Sequence, residues 1–156
     1  MGSPAKTSIT IEAAINASAG KIWEFWTNPA HIIKWNNASD DWHTPRAEND
    51  LRTGGRFLIR MEARDKSSGF DFTGVYTDVK PLKQIDYTLD DTRKVRVSFI
   101  SAGNVTFVRE TFEAEQTNPV EIQKEGWQSI LNNFKRYAEE SVSPKALDKL
   151  KSISEK

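Results

Sequence analysis

The chain has no cysteine, only two histidines and no excess of charge of either sign. Without cysteine, disulfides, thiolate catalysis, iron–sulfur clusters and cysteine-type zinc sites are excluded. The 22 Lys and Arg residues balance 22 Asp and Glu residues, so we expect neither nucleic-acid binding nor electrostatic binding to a membrane surface. No apolar run reaches the roughly 18 residues of a membrane span. The N-terminus lacks a secretory signal, so we expect a cytoplasmic protein.

Signatures of catalysis and cofactor binding are also missing. Neither His31 nor His43 stands in a recognised metal-ligand or nucleophile-activating pattern. The chain contains no Gly-x-Ser-x-Gly elbow and no glycine-rich phosphate-binding loop. We therefore predict no catalytic residue, no metal site and no cofactor. The sequence favours a binding protein over an enzyme and leaves enzymatic activity open.

The first part of the chain predicts one strand followed by two short helices. Apolar residues alternate from Ile9 to Ile15, which is typical of a half-buried strand. Ser18 is a typical N-cap for a helix over 19–27. Asn28 and Pro29 then predict a second helix, because proline suits the first helical position.

The rest of the chain predicts a meander of strands and one long helix. Residues 42–116 follow a two-residue period broken by turn residues, which predicts six or seven antiparallel strands with an edge strand at 43–49. After Asn118 as an N-cap, apolar residues recur at helical spacing over 119–141. At 156 residues, a single domain is expected. We place it at 1–142, with 143–156 as a tail or short helix.

Several short motifs stand in an order that is similar to one superfamily. The motifs are Ile22-Trp23, Thr27-Asn28-Pro29, Trp35, Thr53-Gly54-Gly55-Arg56-Phe57, Gly74-Val75-Tyr76, Pro81, and Gly126-Trp127 with Leu131 and Phe134. The chain thus resembles the SRPBCC superfamily of START and birch-pollen-allergen proteins, in the branch of the heat-shock-protein-90 ATPase activator homologues. The resemblance implies an α+β helix-grip fold. An antiparallel six- or seven-stranded sheet wraps around the long C-terminal helix, two short helices follow strand 1, and an apolar cavity lies between sheet and helix.

The aromatic faces of the predicted elements suit such a cavity. Because ligand pockets are mostly apolar with few polar groups, we predict binding of a hydrophobic or aromatic small molecule, with a stress-related or co-chaperone-like role. Tyr76 and Tyr87 are the expected polar anchors, since buried hydroxyls need partners. Trp23 and Trp26 are expected to anchor their helix to the core. The predicted ligand-binding residues are Trp35, Trp42, Phe57, Ile59, Met61, Phe72, Tyr76, Tyr87, Phe99, Phe107, Trp127, Ile130 and Phe134.

Two alternatives stay open. A chaperone-interaction module that stimulates an ATPase would expose a contiguous apolar patch, although we expect no room for the separate N-terminal domain of the full co-chaperone. A polyketide cyclase or dehydratase-like enzyme would point an ionisable group with a shifted pKa into the cavity. Strand alternation places Arg60, Glu62 and Asp71 on outer faces instead. The expected partners are an apolar small molecule and, in the first alternative, a chaperone. The protein is either a monomer or a homodimer that pairs through the 43–49 edge.

Overall fold

Seven antiparallel strands form one sheet in the order β1-β7-β6-β5-β4-β3-β2. The computed structural model describes residues 7–142, so the tail or helix predicted over 143–156 lies outside the described residues. The α+β helix-grip prediction is confirmed, including the two short helices and the long one. The elements are β1 (Ser8–Ile15), α1 (Ala19–Thr27), α2 (Pro29–Trp35), β2 (Trp42–Asn49), β3 (Arg56–Ala63), β4 (Gly69–Lys80), β5 (Gln84–Leu89), β6 (Lys94–Ala102), β7 (Val105–Glu113) and α3 (Val120–Val142).

Side-chain caps start the two short helices. The hydroxyl of Ser18 accepts a bond from the backbone N–H of Lys21, and Oδ1 of Asn28 accepts from the N–H of Ala30 at 2.9 Å. These contacts satisfy donors that a helix leaves unpaired at its first turn. Pro29 follows at the start of α2, as predicted. The short helices therefore begin where the sequence places them.

The start of α3 differs from the prediction. The side-chain amide of Asn118 donates to Glu115 instead of accepting from the helix, so Asn118 is not an N-cap. The carbonyl of Pro119 accepts the first helical bonds, from Ile122 and Gln123. The helix accordingly begins at Val120, one residue later than predicted.

A glycine pair and a bulge shape the curl of the sheet. Gly54, at φ +87°, donates its N–H to the carbonyl of Tyr76, whose own N–H donates to Gly55. A Cβ atom at residue 55 would lie 2.0 Å from the carbonyl oxygen of Asp50, so only glycine fits there. The register of β4 against β5 shifts between Tyr76 and Asp78. Such a bulge bends a strand and increases its twist, which helps the sheet to close around α3.

The inward-facing and outward-facing positions of β7 are the reverse of those predicted, because the prediction placed Phe107 on the inner face. Val97 and Phe99 of β6 are buried, and they pair with Glu110 and Val108. Directly opposite residues of neighbouring strands share a face, so Glu110 and Val108 point inward. Phe107 is 44% exposed on the outer face. The prediction of an inward Phe107 was wrong, because strand pairing, and not the size of one side chain, sets the phase.

The most deeply buried part of the core lies where the later turns of α3 pack against β1, α1 and α2. Ile15, Val108, Leu131 and Phe134 have no exposed surface there. Ile22 of α1 is equally buried. Within residues 7–142, none of the helices is both long and apolar enough to cross a membrane.

Candidate ligand-binding cavity

A cavity of about 380 Å³ lies between the first half of α3 and the inner face of the sheet. Its volume falls within the range of small-molecule pockets. Most of its wall is apolar or aromatic, and α2 closes one side. The apolar lining residues are Trp26, Ile32, Trp35, Phe57, Ile59, Met61, Phe70, Phe72, Ile85, Ile122, Trp127 and Ile130.

The structure brings nine of the thirteen predicted ligand-binding residues to this cavity. They are Trp35, Phe57, Ile59, Met61, Phe72, Tyr76, Tyr87, Trp127 and Ile130. Four lie elsewhere. Phe99 and Phe134 pack in the filled core around Trp26, at ring centroid distances of 5.8 and 4.9 Å. Trp42 does not line the cavity but contacts the ring of Phe70 edge-on. Phe107 faces away from the interior.

Trp26 lines the cavity as well as anchoring α1. Its ring lies 5.0 Å from that of Trp35. The indole N–H of Trp35 donates to the carbonyl of Phe25 at 2.9 Å, which fixes this ring. The helical spacing of Trp23 and Trp26 could not separate their roles, because only the tertiary fold decides which of the two rings reaches the cavity.

Ring contacts hold the aromatic lining in place. Trp127 stacks on Phe112 with 3.9 Å between ring centroids and meets the edge of Phe72 at 5.9 Å. On the opposite wall, the ring of Phe57 lies 5.0 Å from that of Tyr87. Offset and edge-to-face pairs are the favoured arrangements of aromatic rings. The cavity therefore has walls of fixed shape.

Apolar side chains also stand exposed at the rim. Phe70 is 47% exposed and Ile122 is 56% exposed, and both line the cavity. The buried side chain of Gln123 connects the segment before α3 to the helix. Its amide donates to the carbonyl of Asn118 at 2.7 Å and its oxygen accepts from the N–H of Glu115 at 2.8 Å. These bonds fix the rim next to Ile122.

Gly126 leaves part of the helix wall open. It lines the cavity from the second turn of α3, and a Cβ atom added there would have no atom within 4 Å. A glycine inside a helix costs about 1 kcal/mol relative to alanine. Alanine at position 126 would therefore make the helix more stable and the cavity smaller.

Glu110 is the polar lining residue that the sequence prediction missed. Its side chain is 5% exposed and makes no hydrogen bond to any group among residues 7–142. Burial raises the pKa of its carboxyl to about 8, because an apolar surrounding disfavours the charged form. The signal was present in the sequence: Val108 and Phe112 flank Glu110 at two-residue spacing, so an apolar inner face on β7 includes position 110.

The two predicted tyrosine anchors differ in their partners. The hydroxyl of Tyr76 donates to Oδ1 of Asn49 at 2.5 Å, so it has no further hydrogen to donate to a ligand. The hydroxyl of Tyr87 has no hydrogen-bond partner among the described residues. Burial raises the pKa of both tyrosines, and the negative charge of Glu110 raises the pKa of Tyr87 further.

The other ionisable candidates lie outside the cavity. Arg60 pairs with Glu62 and Asp71 at 3.1 and 3.4 Å, and none of the three lines the cavity. Nδ1 of His31 lies 2.6 Å from the hydroxyl of Tyr137, and His43 lies 3.7 Å from a carboxylate oxygen of Glu62. Over residues 7–142, no group of three or more His, Asp or Glu side chains has the arrangement of a metal site.

A curled antiparallel sheet that grips a long helix around a cavity defines the START and SRPBCC class of fold. The family model of "Activator of Hsp90 ATPase homolog 1-like protein" matches residues 16–139. The chain belongs to this family, as its motifs predicted. A search of curated proteins finds no match.

Solved structures agree with this assignment. The solution structure of the AHSA1-like protein from Aeromonas hydrophila is 45% identical, with a TM-score of 0.82 over 86% of this chain and 94% of that one. A solution structure from Cytophaga hutchinsonii is 49% identical, with a TM-score of 0.75 over 86% and 94%. A Chromobacterium violaceum protein shares the fold at 20% identity, with a TM-score of 0.75 over 83% and 96%.

Proposed function

We propose that the protein binds an uncharged hydrophobic or aromatic small molecule in the cavity and performs no chemistry on it. The observation that carries this proposal is the cavity of about 380 Å³, whose apolar wall continues to exposed side chains at the rim. Phe70 and Ile122 offer an apolar ligand a path from solvent to the interior. Family membership supports the same function, because the fold is that of a ligand-binding domain.

The size of the cavity supports a role in binding. Protein interiors are packed as densely as organic crystals, and voids larger than a water molecule are few. Side chains that border empty space lose the van der Waals contacts that a larger neighbour would make. Gly126 in the wall adds open space where an alanine would stabilise the helix. A ligand that fills this space would restore the missing contacts.

Binding is favoured over the two alternatives. Glu110 is an ionisable group with a raised pKa in the cavity, as a cyclase-like enzyme requires, but the Tyr76 hydroxyl donates its hydrogen bond to Asn49 and both histidines lie outside the cavity. Proton-transfer chemistry would therefore rest on Glu110 and Tyr87 alone. For a chaperone surface, the outer sheet face exposes the paired side chains of Ile100 and Phe107, a small area for a protein contact. The other exposed large apolar side chains among the described residues are Ile33, Leu82, Val120 and, at the cavity rim, Phe70 and Ile122.

The test is a panel of aromatic and aliphatic compounds read by thermal shift and by tryptophan fluorescence. Trp26, Trp35 and Trp127 line the cavity, so a bound ligand should change their emission. Gly126→Leu should narrow the cavity, weaken the binding and leave the folded state at least as stable, because leucine is the better helix former. Gly20→Leu is the matched control, because Gly20 is also a helical glycine with open space beside it but does not line the cavity.

Two outcomes would contradict the proposal. The first is that no compound of the panel raises the melting temperature of the wild-type protein. The second is that Gly126→Leu binds the compounds as well as Gly20→Leu does, which would place the bound molecules on another surface.

A further inference from the structure

Glu110 and Tyr87 reach the cavity from two strands that β6 separates. Glu110 pairs with Val97 of β6, and Val97 pairs with Ile85 of β5. Tyr87 lies two residues beyond Ile85 and therefore on the same inner face. Val95 and Val97, both buried, stand between the two polar side chains. Because valine is short, the longer Glu110 and Tyr87 side chains extend above them into the cavity.

Glu110 and Tyr87 have no hydrogen-bond partner among the described residues, whereas most other polar groups of the cavity wall have one. Asn49 accepts from Tyr76, Gln123 bonds to the segment before α3, and Glu115 accepts from Asn118. Within residues 7–142, neither the Glu110 carboxyl nor the Tyr87 hydroxyl has such a partner. Buried polar groups nearly always make hydrogen bonds. Among the described residues no fully buried side-chain nitrogen or oxygen atom lacks a hydrogen-bond partner, so the oxygens of Glu110 and Tyr87 are open to the cavity, where water or a ligand supplies their partner.

The charges around the cavity determine which polar group fits. The titratable lining residues besides Glu110 are Glu48 of β2, Tyr76 of β4, Tyr87 of β5, Arg93 after β5 and Glu115 after β7. Helices α2 and α3 contribute no titratable lining residue. Among the described lining residues the one cation is Arg93, whose Nε already bonds to Asp91 at 2.8 Å. A ligand carboxylate would thus meet three carboxyl groups and one guanidinium that is already paired with a carboxylate.

We propose that the Glu110 carboxyl and the Tyr87 hydroxyl form a two-donor site that selects apolar ligands carrying a carbonyl oxygen. The neutral carboxyl and the phenol each donate one O–H bond, and a carbonyl oxygen accepts two. A hydrocarbon of the same shape leaves both donors without partners, and a carboxylate adds negative charge to an already acidic wall. This inference rests on the proposed function and names the chemical class of its ligand.

The experiment compares four compounds that share one ring system: fluorenone, fluorene, fluorene-9-carboxylate and 9-aminofluorene. We expect wild-type protein to bind fluorenone about tenfold more tightly than fluorene, which corresponds to one or two net hydrogen bonds. The carboxylate should bind most weakly. In the infrared spectrum, the C=O stretch of bound fluorenone should lie at lower frequency than in a hydrocarbon solvent.

Variants assign the effect to the two residues. Glu110→Leu and Tyr87→Phe should each lose most of the preference for fluorenone over fluorene and part of the infrared shift, whatever the change in their affinity for fluorene itself. Glu110→Gln keeps an N–H donor, so it should keep the preference at every pH. In wild type, the preference should fall as the pH rises through the range in which the Glu110 carboxyl ionises.

The outcomes separate this inference from the proposed function. If no compound binds, the proposed function fails. If fluorene and fluorenone bind wild-type protein equally, the cavity binds ligands but the two-donor site is wrong. Tighter binding of 9-aminofluorene or of the carboxylate than of fluorenone would also overturn it, as would an unchanged fluorenone preference in both Glu110→Leu and Tyr87→Phe.

Discussion

Two regions of the interior use similar side chains but pack them differently. Where the later turns of α3 pack against β1, α1 and α2, Leu131 and Phe134 have no exposed surface. Where the earlier turns of α3 face β3, β4 and β5, Phe72, Trp127 and Ile130 are only partly buried around a cavity of about 380 Å³. We call the first region the filled end and the second the hollow end. The difference indicates that the filled end supplies stability and that the hollow end gives up packing for recognition.

The largest predicted effect belongs to Phe134 at the filled end. Its ring lies 4.7 Å from that of Trp35 and 4.9 Å from that of Trp26. Phe134→Ala should lower the free energy of unfolding by about 3–5 kcal/mol, because the tightly packed neighbours cannot collapse into the space. Urea denaturation measures this loss.

Phe72→Ala is the matched control at the hollow end. Phe72 is half-buried and borders existing space, so the same deletion there should cost at least 1 kcal/mol less. Equal losses at the two positions would remove the distinction between a filled and a hollow end.

An intermediate effect is predicted for ionisation of the Glu110 carboxyl in the hollow end. The pKa of Glu110 is about 8 in the folded protein against an ordinary value of 4.5. Between these values the folded state holds a proton that the unfolded state has lost, so the contribution of Glu110 to stability is fully present below pH 4.5 and is lost as the pH rises through 8. Glu110→Gln has no such group. Its stability relative to wild type should therefore increase by about 3–4 kcal/mol from pH 5 to pH 8.

Chemical denaturation of both proteins across this pH range measures the effect. Glu125→Gln is a suitable control, because Glu125 is exposed on α3 and lies outside the cavity. A constant difference between Glu110→Gln and wild type would show that the Glu110 carboxyl is already ionised in the folded protein at pH 5, and a charged group could not serve as a donor.

Local patterns in the sequence predicted the elements of the fold. Alternation identified the strands, and Ser18 and Asn28 marked helix starts that the structure confirms. The phase of β7 was harder, because Phe107 and Val108 are adjacent and either could face inward. The two-residue period of Val108 and Phe112 favours the observed phase, and the pairing of Val108 with the buried Phe99 fixes it.

The cavity could be predicted only in part. Spacing shows that Phe134 and Ile130 lie on the same face of α3, but one packs in the filled end and the other borders open space. The difference depends on which strands lie opposite each turn of the helix. Gly126 hints at the open wall, since it presents no side chain. Its meaning becomes clear only when the distance to neighbouring atoms is known.

The smallest predicted effect tests the phase of β7, on which the position of Glu110 depends. Phe107 lies on the outer face beside Ile100, so Phe107→Ser should lower the free energy of unfolding by less than about 1 kcal/mol, the scale of one cross-strand pair. Val108→Ser, one residue along, should cost about 2 kcal/mol or more, because it removes buried methyl groups and buries a hydroxyl. Thermal denaturation of the two variants gives the comparison. If Phe107→Ser were the more damaging change, β7 would alternate in the other phase. Glu110 would then face solvent, and the hollow end would lose the carboxyl that sets its polarity.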